Sequence, residues 1–422
     1  MHPSTARRNW AGNVAYRATR FAEPGSVDEL RGVVAEADSL RLLGTRHSFN
    51  DIADTGGTQI SLAALPPVIE VNDARDAVRV SGALRYGDIA PVLEAQHLAL
   101  ANLASLPHIS IAGAVATGTH GSGDRTGSLA SAVRAVTLLT TDGEVRRVSR
   151  GDDDFAGVVV SLGALGAVLE VELDLQPSVP YAQHVFEQPR WDAILEDLDA
   201  VTGVGTSVSI FSTWRGTGTA DQIWVKQAQP DTMREHRDAV MMRLSAVPAT
   251  RQRHPILSEP AEACTEQGGV PGPWYLRLPH FRMDFTPSAG AELQSEYLVP
   301  RSDAVAAIEA VRSLAGRIAP LLLVNEIRSV RADDLWLSSS HRTDAVGLHF
   351  TWRQDEPAVR ALLPDIEAAL PASARPHWGK LYTLPGDEVT RRYPRWSDFA
   401  ALRARFDPER KLVNEHLARL GL

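Results

Sequence analysis

The stretch Gly44-Thr45-Arg46-His47-Ser48-Phe49-Asn50 decides how this chain is interpreted, because it places a glycine and several polar side chains directly after a short apolar run. Glycine lets the backbone turn without a steric penalty from a side chain. Small and polar residues just past a strand bring backbone amides close to a phosphate, and His47 adds a nucleophilic imidazole. Taken alone, such a heptapeptide fits an ordinary loop with a surface histidine equally well.

A second stretch, residues 104–123 (ASLPHISIAGAVATGTHGSG), has the same small and polar character. Ser110 is predicted to cap a short helix, whose N-terminus would offer free amides and partial positive charge to a pyrophosphate. The small side chains of residues 112–116 would let a large ligand lie close to the backbone. A tight helix-to-strand connection would explain the glycines, but not the clustered hydroxyls of residues such as Ser105 and Thr117.

Together the two stretches resemble the FAD-binding domain of the vanillyl-alcohol-oxidase-type flavoproteins, and in particular that of the alditol oxidases. In that subgroup a histidine placed like His47 bonds covalently to the 8α carbon of the flavin, so the resemblance implies a covalently held FAD. The turn at residues 163–168 is implied to touch the nucleotide end. The residues implied to contact FAD are Gly44, Thr45, Arg46, His47, Ser48, Phe49, Asn50, Ser105, Ser110, Gly113, Thr117, Gly118, Thr119, His120, Val168 and His377.

Short β-like runs are interspersed with helices, which indicates an α+β fold and not the regular alternation of a Rossmann domain. The sequence contains no G-x-G-x-x-G and no Walker A motif, so nicotinamide and ATP binding lose their main support. Prolines and polar residues at 176–180 mark a domain boundary. We expect an FAD-binding domain at residues 1–176 and a substrate domain with a mainly antiparallel sheet at residues 177–375. By resemblance, a C-terminal segment, residues 376–422, returns to the FAD domain.

Individual elements are predicted from capping patterns and hydrophobic periodicity. The expected helices are residues 26–37, 152–160, 191–201, 303–318 and 398–406, with a further helix starting near Asp88. The expected strands are residues 59–62, 68–71, 77–81, 133–140, 144–148, 167–175, 206–215, 222–227, 278–285, 296–299, 321–330 and 347–352. Residues 246–272, rich in proline and glycine, are expected to be irregular.

Composition and charge limit the class of protein. The 422 residues are 44% hydrophobic and 23% charged, as in ordinary globular proteins, and the formal net charge of −9 argues against a nucleic-acid partner. The one cysteine, Cys264, excludes an intrachain disulfide and a thiolate metal cluster, and no metal site is predicted. Neither a secretory signal nor a membrane-spanning apolar run is evident. We therefore expect a cytoplasmic monomer without a membrane partner.

Two predicted strands carry polar side chains within an otherwise apolar pattern. Because side chains alternate along a strand, Glu326 and Arg328 project from one face, about 7 Å apart, and Leu322 is expected on that same face. His349 and Thr351 likewise share a face of residues 347–352. If the two strands are neighbours, the four polar side chains form one patch. Polar faces of antiparallel sheets usually meet water, so a solvated surface is the alternative.

The alditol oxidase resemblance gives this patch a function. In that subgroup a Glu, an Arg, a His and a Thr at matching positions line the polyol site. Residues 376–380 (PHWGK) also resemble the C-terminal signature of sugar and aldonolactone oxidoreductases, in which the lysine reaches flavin and substrate. The resemblance thus implies catalytic roles for Glu326, Arg328, His349 and Lys380, and substrate contacts from Ser105, Glu326, Arg328, Thr351 and Lys380.

The implied reaction is FAD-dependent oxidation of the terminal primary hydroxyl of alditols such as xylitol and sorbitol, with hydride transfer to flavin N5 and reduction of dioxygen to hydrogen peroxide. An aldonolactone oxidoreductase is an alternative, favoured by residues 377–380. A polyol dehydrogenase with another acceptor is a second, because a small residue near the flavin gates dioxygen in related enzymes and Ala104 is the candidate. A non-catalytic nucleotide- or sugar-binding protein is a third; it would need neither His47 nor the Glu326 and Arg328 pair.

Overall fold

The computed structural model describes residues 7–216 and 218–422. In the first part of the chain the helices are α1 (Val27–Glu36), α2 (Tyr86–Glu94), α3 (Ile111–Ala116) and α4 (Phe155–Val158). The strands there are β1 (Arg20–Ala22), β2 (Leu40–Leu42), β3 (Thr58–Ile60), β4 (Ile69–Val71), β5 (Ala77–Ser81), β6 (Leu98–Ala99), β7 (Val133–Leu139), β8 (Val145–Ser149), β9 (Ala167–Asp174) and β10 (Gln176–Pro177).

These strands form a parallel sheet in the order β1–β3–β2, an antiparallel sheet in the order β4–β5–β9–β7–β8, and a small β6–β10 pair. The hairpin predicted for residues 133–148 is confirmed as β7 and β8. Helix α1 begins after Ser26, whose hydroxyl accepts a hydrogen bond from the Glu29 amide at 3.2 Å. Strand β2 ends at Leu42, so the Gly44 stretch leaves the end of a parallel strand, as predicted.

The second part of the chain, from Tyr181 onward, contains both strands and helices. The strands are β11 (Tyr181–Glu187), β12 (Ser207–Ser212), β13 (Gln222–Ala228), β14 (Val247–Pro248), β15 (Leu293–Pro300), β16 (Leu322–Val330), β17 (Ala345–Trp352) and β18 (Arg375–Pro376). The helices are α5 (Trp191–Glu196), α6 (Leu198–Thr202), α7 (Arg234–Arg243), α8 (Ala304–Ser313), α9 (Ala315–Ile318), α10 (Glu356–Ala369), α11 (Gly386–Thr390), α12 (Trp396–Phe406) and α13 (Glu415–Arg419).

One antiparallel sheet dominates this part, with its strands in the order β14–β11–β13–β12–β16–β17–β15–β18. Helices α5 to α10 pack against one face, where Ile327, Leu348 and Phe350 join their core. The opposite face of β15, β16 and β17 turns toward the first part of the chain. Among the described residues, no helix is both long and apolar enough to cross a membrane.

The C-terminal helices contact the first part of the chain. The Leu40 amide donates to the Lys411 carbonyl at 2.8 Å, and the Asn414 side chain donates to the carbonyls of Asp51, Ile52 and Asp54 at 3.1, 3.1 and 2.8 Å. These bonds bring the chain's end beside the loop that follows the Gly44 stretch. The predicted boundaries of the three segments stay predictions.

The strand predicted for residues 278–285 is wrong. Pro279 has no amide hydrogen to donate to a ladder, and the next two amides, of His280 and Phe281, both donate to the Ser105 carbonyl, at 2.8 and 3.1 Å. Their hydrogen bonds therefore fix the segment as a loop against the second motif, a tertiary contact that local pattern does not show.

Three predicted helices are shorter than expected. Residues 191–201 break at Asp197, which leaves helical geometry and caps the Ala200 amide at 3.0 Å. Residues 303–318 break at Leu314, and residues 152–160 keep only the single turn of α4. Helices α7 and α10 were not predicted.

The face assigned to Leu322 is also wrong. A register shift between Leu322 and Val324 places Leu322 opposite Trp352 and Val324 opposite Thr351. Such a bulge interrupts the alternation of side chains. Leu322 consequently packs in the core beneath the helices, whereas Val324 lines the other side with Glu326.

Candidate active site

The two sequence motifs meet in space. The Ser110 amide donates to Thr45 Oγ1 at 3.0 Å, and a Cβ on Gly44 would overlap the Ser110 hydroxyl. This close approach is the reason for a glycine at position 44. Ser110 precedes α3, as predicted, but its side chain makes no capping hydrogen bond.

A continuous cavity runs from these motifs to the face of the large sheet. Its walls include most residues predicted to contact the cofactor, namely Gly44, Thr45, Arg46, His47, Ser48, Phe49, Ser105, Ser110, Gly113, Thr117, Thr119, His120, Val168 and His377. It also includes every residue predicted to be catalytic or substrate-binding.

Asn50 and Gly118 are not among the lining residues. The Asn50 side chain donates to the carbonyls of Trp378 and Lys380, both at 2.9 Å, and so fastens the Gly44 stretch to the lysine turn. Gly118 lies at φ 66° in the turn after α3. Both positions support the cavity from behind its wall.

One half of the cavity, here called the small-residue trough, is shaped to admit a flat ligand. Its walls come from residues with little or no side chain, namely Gly82, Ala83, Ala112, Gly113, Ala116, Gly163 and Gly166. A Cβ on Gly82 would come within 2.7 Å of the Val168 carbonyl and 3.0 Å of the Ala112 Cβ. The backbones here are therefore packed as closely as glycine allows.

The imidazole of His47, which has one nitrogen without a hydrogen-bond partner of standard geometry among the described residues, lies beside the trough. His47 stacks on Trp10 with ring centroids 5.5 Å apart, and its buried Nδ1 has no hydrogen-bond partner of standard geometry among the described residues. Burial, assisted by His108 and opposed by the Thr45 backbone, lowers the pKa of His47 to about 4. The ring is therefore neutral at neutral pH and has a free nitrogen lone pair, which fits the attachment of a cofactor.

The other half of the cavity is charged and is here called the polar cluster: Glu296, Glu326, Arg328, His349, Thr351 and Lys380. Glu326, Arg328, His349 and Thr351 are only 4–7% exposed. The solvated-surface alternative is therefore wrong, because the first part of the chain covers this face of the sheet.

Glu296, on β15, is the centre of the polar cluster. Its Oε2 accepts from Lys380 Nζ at 2.7 Å and its Oε1 accepts from Arg328 Nη2 at 3.0 Å. His120 Nε2 lies 3.1 Å from the same Oε1. Burial alone would raise the pKa of this carboxyl, but Lys380, His120 and Arg328 hold it well below its usual range. Glu296 is thus an anion that fixes two cations.

The hydrogen bonds around His349 fix its tautomer. Its Nδ1 lies 2.6 Å from Lys380 Nζ and, at a longer 3.4 Å, from Glu296 Oε2, and its Nε2 lies 3.2 Å from Thr351 Oγ1; the shorter contact with Lys380 decides the tautomer. Burial, with Lys380, lowers the pKa of His349 to about 4, so the ring is neutral and carries one hydrogen. Because an ammonium can only donate, Nδ1 accepts and the hydrogen lies on Nε2, directed at Thr351.

Glu326 is held by a different set of partners. His280 Nε2 lies 2.8 Å from Glu326 Oε1 and Arg328 Nε lies 3.6 Å from the same oxygen. Burial opposes ionisation, yet Arg328 and His280 keep the pKa of Glu326 well below its usual range. Oε2 has no hydrogen-bond partner among the described residues, although the side chain lines the cavity.

Sequence reasoning missed Glu296, His280 and a buried lysine behind it, Lys226. The signal for Glu296 was present, since Gln294 and Glu296 alternate with apolar Leu293 and Tyr297 along β15. The prediction began that strand at residue 296 and so cut the alternation off. No pattern in the sequence indicated His280, because its position depends on the loop contact with Ser105.

A trough lined by small residues that opens onto a buried cluster of charged side chains has the two parts that a flavin-dependent oxidoreductase needs, a seat for a flat cofactor and a polar site for a hydroxylated substrate. A family model described as an FAD binding domain matches residues 18–149, and one described as D-arabinono-1,4-lactone oxidase matches residues 291–420. An alditol oxidase of a Streptomyces species is 47% identical over 418 residues, which cover 98% of each chain.

Lactone-specific relatives are more distant. An L-gulono-1,4-lactone dehydrogenase of Mycobacterium tuberculosis is 28% identical over 98% of each chain. An L-gulonolactone oxidase of Bos taurus is 23% identical over 98% of this chain and 97% of its own. The chain therefore belongs to the alditol oxidase family of vanillyl-alcohol-oxidase-type FAD flavoproteins, and it is an FAD-dependent oxidoreductase.

Proposed function

We propose that this enzyme oxidises the terminal primary hydroxyl of linear alditols, such as xylitol and sorbitol, and passes the electrons to dioxygen, which becomes hydrogen peroxide. The observation that carries the proposal is the polar cluster, which brings five hydrogen-bonding side chains around Glu296 to the end of the small-residue trough. The 47% identical relative, named an alditol oxidase, supports it. FAD, when bound, supplies the hydride acceptor.

Lys380 and Arg328 bind the reacting hydroxyl. The contacts of Lys380 Nζ with Glu296 and His349 use two of its three hydrogens, so a third is left for the substrate. Arg328 Nη1 donates to Ser105 Oγ at 3.2 Å, which leaves the serine's own hydrogen free to bind a further hydroxyl. Both cations also stabilise negative charge that develops near the reacting carbon.

Glu326 and Thr351 complete the substrate contacts. Glu326 Oε2 accepts the hydrogen of a substrate hydroxyl, because Oε1 is already bound to His280. Thr351 Oγ1 accepts from His349 Nε2, so its hydroxyl hydrogen is turned toward another acceptor, a second oxygen of the polyol. His349 thereby acts both as a support for Lys380 and as the group that orients Thr351.

The flavin is held covalently through His47. The support is the buried Nδ1 without a partner and the neutral ring stacked on Trp10. Acid precipitation of the wild-type enzyme should leave yellow protein, and His47→Ala should release its flavin or fail to incorporate it. His120→Ala is the comparison variant, because His120 also has a buried nitrogen, Nε2, without a hydrogen-bond partner of standard geometry in the described part of the chain, and is the next candidate for attachment. Acid-stable flavin in His47→Ala would move the attachment elsewhere.

A substrate panel with peroxide detection tests the reaction. Each polar group left unpaired in a closed site costs about 1–3 kcal/mol, so kcat/KM falls roughly tenfold for each lost hydroxyl contact. The expected order is sorbitol and xylitol first, then glycerol, then 1,2-propanediol, with glucose poorer than the linear polyols. A diol that equals xylitol would contradict the polar-cluster model.

Two alternatives are tested by the same panel. The family model for D-arabinono-1,4-lactone oxidase matches residues 291–420, so a γ-lactone belongs in the panel, and a lactone ahead of every polyol would favour that activity. Ala104 lines the cavity. A rate that is low with dioxygen and high with an artificial dye would favour a polyol dehydrogenase over an oxidase.

A further inference from the structure

A buried lysine lies behind the polar cluster and outside the substrate contacts assigned above. Lys226, on β13, is 1% exposed. The chain holds only three lysines, Lys226, Lys380 and Lys411, against forty arginines. Lysine is seldom fully buried without a partner. A sequence that otherwise uses arginine thus keeps an amine at a place where its charge is costly, and burial lowers the pKa of Lys226 to about 7.

Lys226 is connected to Glu326 through one imidazole. Its Nζ lies 2.7 Å from His280 Nδ1 and also donates to the Leu278 carbonyl. His280 Nε2 lies 2.8 Å from Glu326 Oε1. The result is a row, lysine to histidine to glutamate, in which both ring nitrogens of His280 are used.

Only one placement of the hydrogens on Lys226, His280 and Glu326 is consistent with the contacts of this row. Burial, assisted by Lys226, lowers the pKa of His280 to about 4, so the ring is neutral with a single hydrogen. Glu326 is an anion and only accepts, so the hydrogen lies on Nε2. Nδ1 must then accept, and Lys226 is the donor that faces it. Lys226 therefore selects the tautomer that lets His280 hold Glu326.

The surroundings keep His280 from turning. Phe211 and Trp224 meet its ring edge-to-face at centroid distances of 5.5 and 5.3 Å. Its amide donates to the Ser105 carbonyl at 2.8 Å, which ties the ring to the motif that also binds Arg328. Arg328, His349, Lys380 and Cys264 are the other titratable or charged groups that face the row.

The geometry points to Lys226 and His280 as positioning residues for Glu326: together they hold Oε1, keep the carboxylate ionised, and leave Oε2 directed at the substrate hydroxyl. This inference rests on the proposed function, because it assigns a role in the same reaction. Lys226 does not line the cavity, and both ring nitrogens of His280, which does, are taken by Lys226 and Glu326, so we infer that both residues act through Glu326.

Four holoenzyme variants test the inference against wild type, with rates normalised to bound flavin. Lys226→Met removes the charge and the hydrogen-bond donor, and Lys226→Gln keeps a donor without the charge. His280→Phe keeps an aromatic ring against Phe211 and Trp224. The double variant Lys226→Met/His280→Phe completes a cycle. Lys411→Met is the matched control, because Lys411 contacts the carbonyls of Val34 and Ala35, away from the cavity.

We expect Lys226→Met and His280→Phe to lower kcat/KM for xylitol by about 10- to 100-fold, the usual value of a hydrogen bond to a charged group. The double variant should lose no more than His280→Phe alone, since Lys226 acts only through His280. The acid limb of the kcat/KM profile should move to higher pH in Lys226→Met, because Glu326 loses support for its ionised form. Lys226→Gln should be intermediate, and Lys411→Met should match wild type.

The outcomes separate the inference from the proposed function. If wild-type enzyme oxidises no polyol, the proposed function is wrong and the inference falls with it. If wild type is active but the two losses simply multiply in the double variant, or the acid limb does not move, only the inference is overturned. If Lys226→Met does not fold, Lys226→Gln carries the test, and an unchanged profile in that variant would equally overturn it.

Discussion

The small-residue trough and the polar cluster are the two ends of one cavity, and they are built in opposite ways. The trough is formed by residues with little or no side chain, from three short segments at residues 82–83, 112–116 and 163–166. The polar cluster is formed mainly by charged side chains from the neighbouring strands β15, β16 and β17, with Lys380 from the turn after β18. The difference teaches that the shape of the trough is set by how closely the backbones approach each other. The chemistry of the polar cluster is set by buried charges that neutralise one another.

Glu326→Gln should give the largest effect on activity. It should act on the polar cluster without changing the trough. The amide is nearly isosteric but cannot be an anion, so kcat should fall by about 10²- to 10⁴-fold, the range for a group that handles a proton. Flavin content should be unchanged, as read from the absorbance of the purified protein.

Glu292→Gln is the matched control for that change. Glu292 also lines the cavity, but burial raises the pKa of its carboxyl, so an amide replaces a group that is less readily charged. Its kcat should change by far less. Equal losses of kcat in the two variants would mean that any carboxyl group on this cavity wall affects the reaction, and that Glu326 has no specific role.

Glu296→Gln should affect stability next most strongly. Breaking a buried ion pair leaves an uncompensated charge and costs about 3–5 kcal/mol of unfolding free energy, here because Lys380 and Arg328 lose their common partner. The folded pKa of Glu296 lies below its ordinary value, so its contribution is present above pH 4.5 and is lost as pH falls further.

Denaturant titrations at neutral pH and at pH values below 4.5 measure that effect. The gap between wild type and Glu296→Gln should be widest at neutral pH and should narrow on acidification. A gap that grows as pH falls would contradict the assignment of Glu296 as the central anion.

Among changes at the trough, Gly82→Ala should give the clearest loss of stability. Its Cβ would meet the Val168 carbonyl at 2.7 Å, a backbone atom that cannot move aside, so overpacking should cost about 1–3 kcal/mol. Gly32→Ala, on exposed helix α1 where a Cβ meets nothing, should instead stabilise by about 0.5–1 kcal/mol. Chemical denaturation of both variants distinguishes close packing from a general effect of alanine.

Thr45→Val should be the smallest of these effects. It removes the acceptor of the Ser110 amide, so the two motifs lose one direct bond, worth about 1 kcal/mol. Thr45→Ser keeps the hydroxyl and serves as the control. Loss of flavin from Thr45→Val without loss of stability would show that this hydroxyl acts on the cofactor and not on the fold.

The two ends also differ in how far the sequence predicted them. Part of the trough follows from the second motif and the turn at residues 163–168, and His47 beside it follows from the first motif, but Gly82 and Ala83 lie outside both motifs and were not predicted. Glu326 and His349 followed from strand alternation, but Leu322 did not, because a bulge shifts the register and no local pattern marks it. His280 could not be predicted, since the Ser105 carbonyl sets its position across the chain.

The bonds from Asn50 to the carbonyls of Trp378 and Lys380 have a consequence for synthesis of the protein. They join residues up to 330 positions apart. A ribosome adding roughly 5–20 residues per second needs about a quarter of a minute to more than a minute to cover that distance. These bonds can form only after nearly the whole polypeptide has emerged, so we expect the histidine loop to be completed, and the cofactor to be captured, late in the synthesis of each molecule.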